Sequence, residues 1–148
     1  ANDGAAARRD WKLSRERLAP VGAALAPWRV PAATLAKLRA ALRQYVGTHN
    51  FWNFTSKLKA SDKSAQRYVV AFECGEPFEL GGREWVALTV EGQSFLLHQI
   101  RKMVAAAVEV ARGGVPLALY DEVFTDASCM LPLAPGEGLY LELPFFSE

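Results

Sequence analysis

The chain has 148 residues, of which 51% are hydrophobic and 22% charged, with a formal net charge of +1. That length fits one domain with a proper core. Two cysteines, Cys74 and Cys129, make neither a disulfide framework nor a zinc site, and no apolar run reaches transmembrane length. No signal-peptide pattern is present, and an intracellular, reducing compartment (nucleus, mitochondrion or cytoplasm) is the expectation. The near-neutral total conceals an asymmetry. Residues 1–69 hold 13 Lys/Arg against 4 Asp/Glu, a balance of +9, whereas residues 70–148 hold 4 against 12, a balance of −8. Such segregation concentrates positive potential and can attract a polyanion, unless the charges pair across the fold.

Residues 1–30 are rich in Ala, Arg and Pro and read as a partly ordered connecting arm, with Trp11 and Trp28 as its large anchors. Residues 31–148 read as the folded domain. Pro31 suits the first turn of a helix, and Leu35, Leu38, Leu42 and Tyr45 recur at helical spacing until Gly47 stops it. Residues 55–66 form a polar loop in which Lys57, Lys59 and Lys63 face a single Asp62. Tyr68 to Cys74 is a predicted strand, Gly75 to Gly82 a turn region, and Trp85 to Val90 the partner strand. A long helix from about Phe95 to Arg112 ends at Gly113-Gly114, a second short one runs from Pro116 through Val123, and Leu139 to Leu143 makes a last strand. The expected class is α+β, with helices packed on one face of a largely antiparallel sheet.

The segment Gly92-Gln-Ser-Phe-Leu-Leu-His-Gln-Ile-Arg-Lys-Met-Val104 is the most informative. With Ser94 as N-cap, His98, Arg101 and Lys102 fall at i, i+3 and i+4 on one helix face. Leu96, Ile100, Met103, Val104, Ala107 and Val108 make the opposing apolar stripe. Cations near a helix N-terminus oppose its dipole, so this face invites a phosphate or a buried carboxylate; a solvated face is the alternative.

Gly47-Thr-His-Asn-Phe-Trp-Asn-Phe-Thr55 resembles the Gly-x-His-(Asp/Asn)-Phe-x-x-Phe motif of tRNA pseudouridine synthases of the TruA family. Gln66-Arg-Tyr-Val69 resembles that family's Arg-opened strand. The helix segment is similar to its Phe-x-x-His-x-(Ile/Val)-Arg-x-(Ile/Met)-Val pattern, and Gly138-Leu-Tyr-Leu141 to its closing strand. Each block is short, but four occur in the family's order over residues 47–145. Asn50 and the basic insert after Phe54 look more like the eukaryotic branch. The family's Arg-Thr-Asp-x-Gly-Val-His-Ala motif, which carries the nucleophilic Asp, has no counterpart here: Asp3, Asp10, Asp62, Asp121 and Asp126 all lie in other settings. The resemblance therefore implies the C-terminal half of such an enzyme, inactive by itself and partnered by the N-terminal domain that carries the Asp.

The implied chemistry cleaves a uridine's N-glycosidic bond and rejoins the uracil through C5, with no metal and no organic cofactor. Arg101 matches the family position that pairs with the catalytic Asp; a guanidinium stays charged and grips a carboxylate bidentately. Leu139 matches the apolar residue against the target uracil, with core packing as its rival reading. His49, Phe51, Lys57, Lys59, Lys63, Arg67, His98 and Lys102 are the candidate contacts to tRNA or another structured RNA, Phe51 being open also to a core role. An RNA-binding or ribosome-assembly subunit that has lost catalysis is the competing function. No membrane association is implied.

Overall fold

The computed structural model of the protein describes Pro20 and residues 23–144. In chain order its elements are helix α1 (Ala32–Arg43), strands β1 (Gly47–Asn50), β2 (Gln66–Cys74), β3 (Phe78–Leu80), β4 (Arg83–Trp85) and β5 (Leu88–Gly92), then helices α2 (Gln99–Arg112) and α3 (Leu119–Val123). Single 3₁₀ turns lie at Trp52–Phe54 and Lys63–Ala65. Two compact units divide the chain, one combining the segment up to Pro31 with Glu76–Ala87, the other built of Ala32–Gly75 and the chain from Leu88 onward.

The larger unit is α+β. Its sheet has the order β1-β2-β5 and is antiparallel throughout, with a register irregularity in β2 between Val69 and Ala71. Along β2, Val69 and Phe72 both enter the core although three positions apart, because the register irregularity between Val69 and Ala71 breaks the alternation, while Tyr68 and Val70 stay exposed. The buried face meets α1 through Leu42, the turn after it through Tyr45, and α2 through Met103, Ala106, Ala107 and Val110. Tyr45 lies at the centre, edge-on to Phe54 at 5.5 Å and to Tyr120 at 5.1 Å. Such pairs add about 0.5–1.5 kcal/mol each beyond the area they bury. The predicted apolar spacing of α1 holds: Leu35 and Leu42 are buried and Leu38 packs against the cluster. At φ +106° Gly47 then turns the chain out of the helix.

The smaller unit contains the two-stranded hairpin β3–β4, turned by Gly81 and Gly82 at φ +60° and +72°. The expected turn region Gly75–Gly82 thus contains β3. Trp85 pairs with Phe78 rather than opening the partner strand of β2, which begins at Leu88. Period-two alternation ran through both strands and hid the break between them. Of the expected arm, residues 1–19, 21 and 22 lie outside the described residues. At its end Arg29 pairs with Glu79 at 2.8 Å, and the Val30 N–H donates to Glu84 at 2.6 Å.

Gly47–Asn50 forms an edge strand, its backbone paired with Gln66–Val69. Two further expectations are corrected. Leu139 to Leu143 is not a strand: among the described residues it has no partner strand, and Tyr140 and Leu141 are largely exposed. Ser94 does not cap the long helix, which starts at Gln99. Gly92 explains the delay. A Cβ there would lie 2.8 Å from the Phe95 ring and 3.0 Å from the Tyr68 carbonyl, so the glycine lets Phe95 fold back over the strand end. Residues 95–98 are spent on that reversal.

Candidate functional site

With the helix beginning at Gln99, Arg101 and Lys102 stand in its first turn, with no acidic residue there and no capping side chain. The two cations therefore sit closer to the positive end of the dipole than the sequence implied. His98 lies outside the helix, at φ 66° and ψ 0°, and its carbonyl accepts the Lys102 N–H at 3.0 Å. The expected three-residue helical face is thus not formed: His98 is a turn residue, and Arg101 and Lys102 meet different partners.

Arg101 is half-buried. Its Nε donates to the Ala134 carbonyl at 2.7 Å, and the Ala134 N–H donates back to the Arg101 carbonyl at 3.2 Å. Gly136 closes over the guanidinium, where a Cβ would lie 3.6 Å from Cζ, Nε and Nη1. The Leu139 N–H donates to the Gly136 carbonyl at 3.1 Å, so one short segment carries both the cover of Arg101 and Leu139. Leu139 is 48% exposed, which removes core packing as its role in this chain. Among the described residues no ion pair involves Arg101.

Lys102 points elsewhere. Its Nζ donates to the Asn53 carbonyl at 3.0 Å, and burial lowers its pKa below the usual lysine value. It ties α2 to the turn at Trp52–Phe54 through one of the three ammonium donors.

The His49 motif divides into a surface residue and a core. The His49 ring stacks on Phe124 at 4.2 Å between centroids, and Nε2 lies 3.0 Å from the Val46 carbonyl, which can only accept, so Nε2 carries the proton. Phe51 and Phe54 are wholly buried. Phe51 is therefore a core residue, and its expected contact with RNA is corrected: no face is open for a base. Across the strand pair, His49 opposes Arg67. The Arg67 Nη1 donates to the Gln66 carbonyl at 2.8 Å, while its Nε is buried with no partner. Lys57, Lys59 and Lys63 are exposed on a loop braced by Asp62, which accepts the Lys59 N–H at 2.7 Å, and by Asn50, which donates to the Ala60 carbonyl at 2.8 Å.

Sequence reasoning missed Asn53 and Gln99. Asn53 is buried and donates to the carbonyls of Val123 and Ala127, both at 2.9 Å, while its Oδ1 accepts the Cys129 N–H at 2.9 Å. It holds the start of the loop that leads to Ala134. A lone amide between aromatic residues that prove to be core was the available signal.

The α+β fold is the class that the comparisons with known proteins make specific. The family model described as tRNA pseudouridine synthase matches residues 41–147, and the chain belongs to that family. It is 44% identical over 119 residues to tRNA pseudouridine synthase 1 of Schizosaccharomyces pombe, covering 80% of this chain and 22% of that protein. The corresponding protein of Saccharomyces cerevisiae is 41% identical over 121 residues, covering 80% of this chain and 22% of its own length. The human pseudouridylate synthase 1 homolog is 41% identical over 121 residues, 82% of this chain and 28% of that protein. The match thus spans between a fifth and a third of each relative. Among the described residues no helix is long and apolar enough to cross a membrane.

Proposed function

We propose that this chain is the C-terminal half-site of a tRNA-type pseudouridine synthase, isomerising uridine in structured RNA once joined to the domain that carries the nucleophilic Asp. The presentation of Arg101 is the observation that supports this reading best. Its Nε is held by the Ala134 carbonyl, its face is covered by Gly136, and no carboxylate of the described chain neutralises it. An arginine anchored through Nε keeps its two Nη groups as a fork, the geometry that a carboxylate accepts bidentately. A guanidinium in a first helical turn is unfavourable for stability alone and gains from an incoming anion.

In this reading Arg101 keeps the Asp ionised and aimed, and Leu139 supplies apolar contact to the uracil. Lys57, Lys59, Lys63 and Arg67, with His49 and His98 at the margin, receive RNA phosphates. The unpartnered Nε of Arg67 would gain a partner on binding. The compartment is intracellular, since tRNA or a similar structured RNA is the substrate. No metal and no organic cofactor takes part.

Tritium release from tRNA labelled at uridine C5 tests the proposal. The parent protein should release tritium and the 148-residue chain alone should not. Release by this chain at the parent's rate, or none by the parent, would refute it.

A further inference from the structure

The helix that carries Arg101 begins on two features that the reading above leaves unused. His98 is the one non-glycine residue with positive φ among the described residues. Next to it, Gln99 is 0% exposed although its side chain is polar. The Gln99 Oε1 accepts the Leu96 N–H at 2.8 Å, and the Gln99 N–H donates to the Leu96 carbonyl at 3.0 Å. The two bonds close a ring over the four residues Leu96–Gln99: a backbone turn bond answered by the side chain reaching back to the turn's first N–H, the return half of the bonding in a capping box. The Gln99 Nε2 rests 3.6 Å from the Met103 sulfur, a weak acceptor one turn further on. A methionine or leucine would fill this space without desolvating an amide, so the amide's work is on the backbone of Leu96.

We propose that Gln99 is a positioning residue for Arg101, an inference that rests on the reading of Arg101 as partner of the catalytic carboxylate. The first turn of α2 lacks a capping side chain and carries two cations that oppose its dipole, conditions under which a helix end frays. The Leu96–Gln99 ring fixes the chain entering that turn and holds His98 in the left-handed region, which an L residue adopts only when its surroundings impose it. The turn so held sets the Arg101 side chain within 2.7 Å of Ala134. Bidentate capture of a carboxylate tolerates little error in that placement.

The Nε–H of Arg101 gives a direct readout in the ¹⁵N-labelled chain, where its bond to Ala134 should slow exchange with water. Gln99→Met should speed that exchange by about tenfold or more by freeing the first turn. Gln99→Glu should keep it slow, because a carboxylate accepts the same Leu96 N–H and suits a helix N-terminus. In the full-length enzyme, Gln99→Met should lower kcat by about tenfold with KM unchanged, the loss expected of a misplaced group. Added to Arg101→Ala, it should lower kcat no further. Unchanged Arg101 exchange in the Met variant, or an additive kcat loss in the double variant, overturns the proposal. If the Met variant does not fold, fast exchange in the Glu variant overturns it equally, and slow exchange supports it. A parent protein that isomerises no uridine would defeat the enzymatic reading, while the exchange measurement would still decide the positioning role.

Discussion

Arg101 and Ala134 bond each other twice, guanidinium Nε to carbonyl at 2.7 Å and amide N–H back to carbonyl at 3.2 Å, across 33 residues. The pair fastens the loop that ends in Leu139 to the first turn of α2. It also determines which part of the arginine remains available: Nε is used within the chain, and the Nη fork is left to face a partner.

Arg101 substitutions should therefore separate stability from turnover. In the 148-residue chain, Arg101→Ala removes the Ala134 bond and should cost about 0.5–1.5 kcal/mol by urea denaturation. Under the proposed pairing, the same change in the full-length protein should strand a buried carboxylate, at about 3–5 kcal/mol. Arg101→Lys keeps the charge but loses the fork, so turnover should fall while RNA affinity survives. Full turnover in the lysine variant would exclude bidentate pairing.

Replacing Lys57, Lys59 and Lys63 together by Gln should weaken tRNA binding by the full-length protein and flatten its dependence on salt. For every phosphate left without its lysine, the log–log slope should shrink by about 0.7–0.9. The three side chains are exposed, so the melting temperature should not move. An unchanged slope would place the RNA elsewhere.

The Tyr120 hydroxyl donates to that of Tyr45 at 2.9 Å, and the Tyr45 hydroxyl donates to the Met103 carbonyl at 2.9 Å, linking α3, the end of α1 and α2 in the core. Tyr120→Phe leaves the Tyr45–Met103 bond intact and removes one donor. Chemical denaturation should register a loss of about 0.5–1.5 kcal/mol.

The same pair governs alkaline stability. Burial raises the Tyr45 pKa well above the usual 10.0 and that of Tyr120 to about 12. Both phenols are held neutral in the fold, so their contribution is fully present below pH 10.0; that of Tyr120 is lost as the pH rises through about 12, and that of Tyr45 as the pH rises through its own raised value. Lys102 acts in the opposite sense. Its lowered pKa makes the folded state less favourable while it is charged, and that penalty is relieved as the pH approaches the ordinary 10.5. Stability measured against pH should show a net fall above pH 10, shallower in Tyr120→Phe. A curve that is steeper in the variant would contradict the assignment.

What the sequence by itself determined is what local periodicity and composition can carry. The spacing of Leu35, Leu38, Leu42 and Tyr45 specified α1, because a 3.6-residue repeat has one way to bury its stripe. Four ordered motifs pointed to the family, and the run from Tyr68 to Cys74 marked β2 as a strand. Other features needed the third dimension. That Phe51 is core and His49 a surface ring over Phe124 depends on residues 73–75 positions away along the chain. That α2 starts at Gln99 depends on how Gly92 lets Phe95 lie over the end of β5, a contact no capping rule contains. That Lys102 is tied to Asn53 while Arg101 is presented under Gly136 depends on which loop each side chain meets. Adjacent residues on a helix point about 100° apart, and only the packed neighbours decide what each direction reaches.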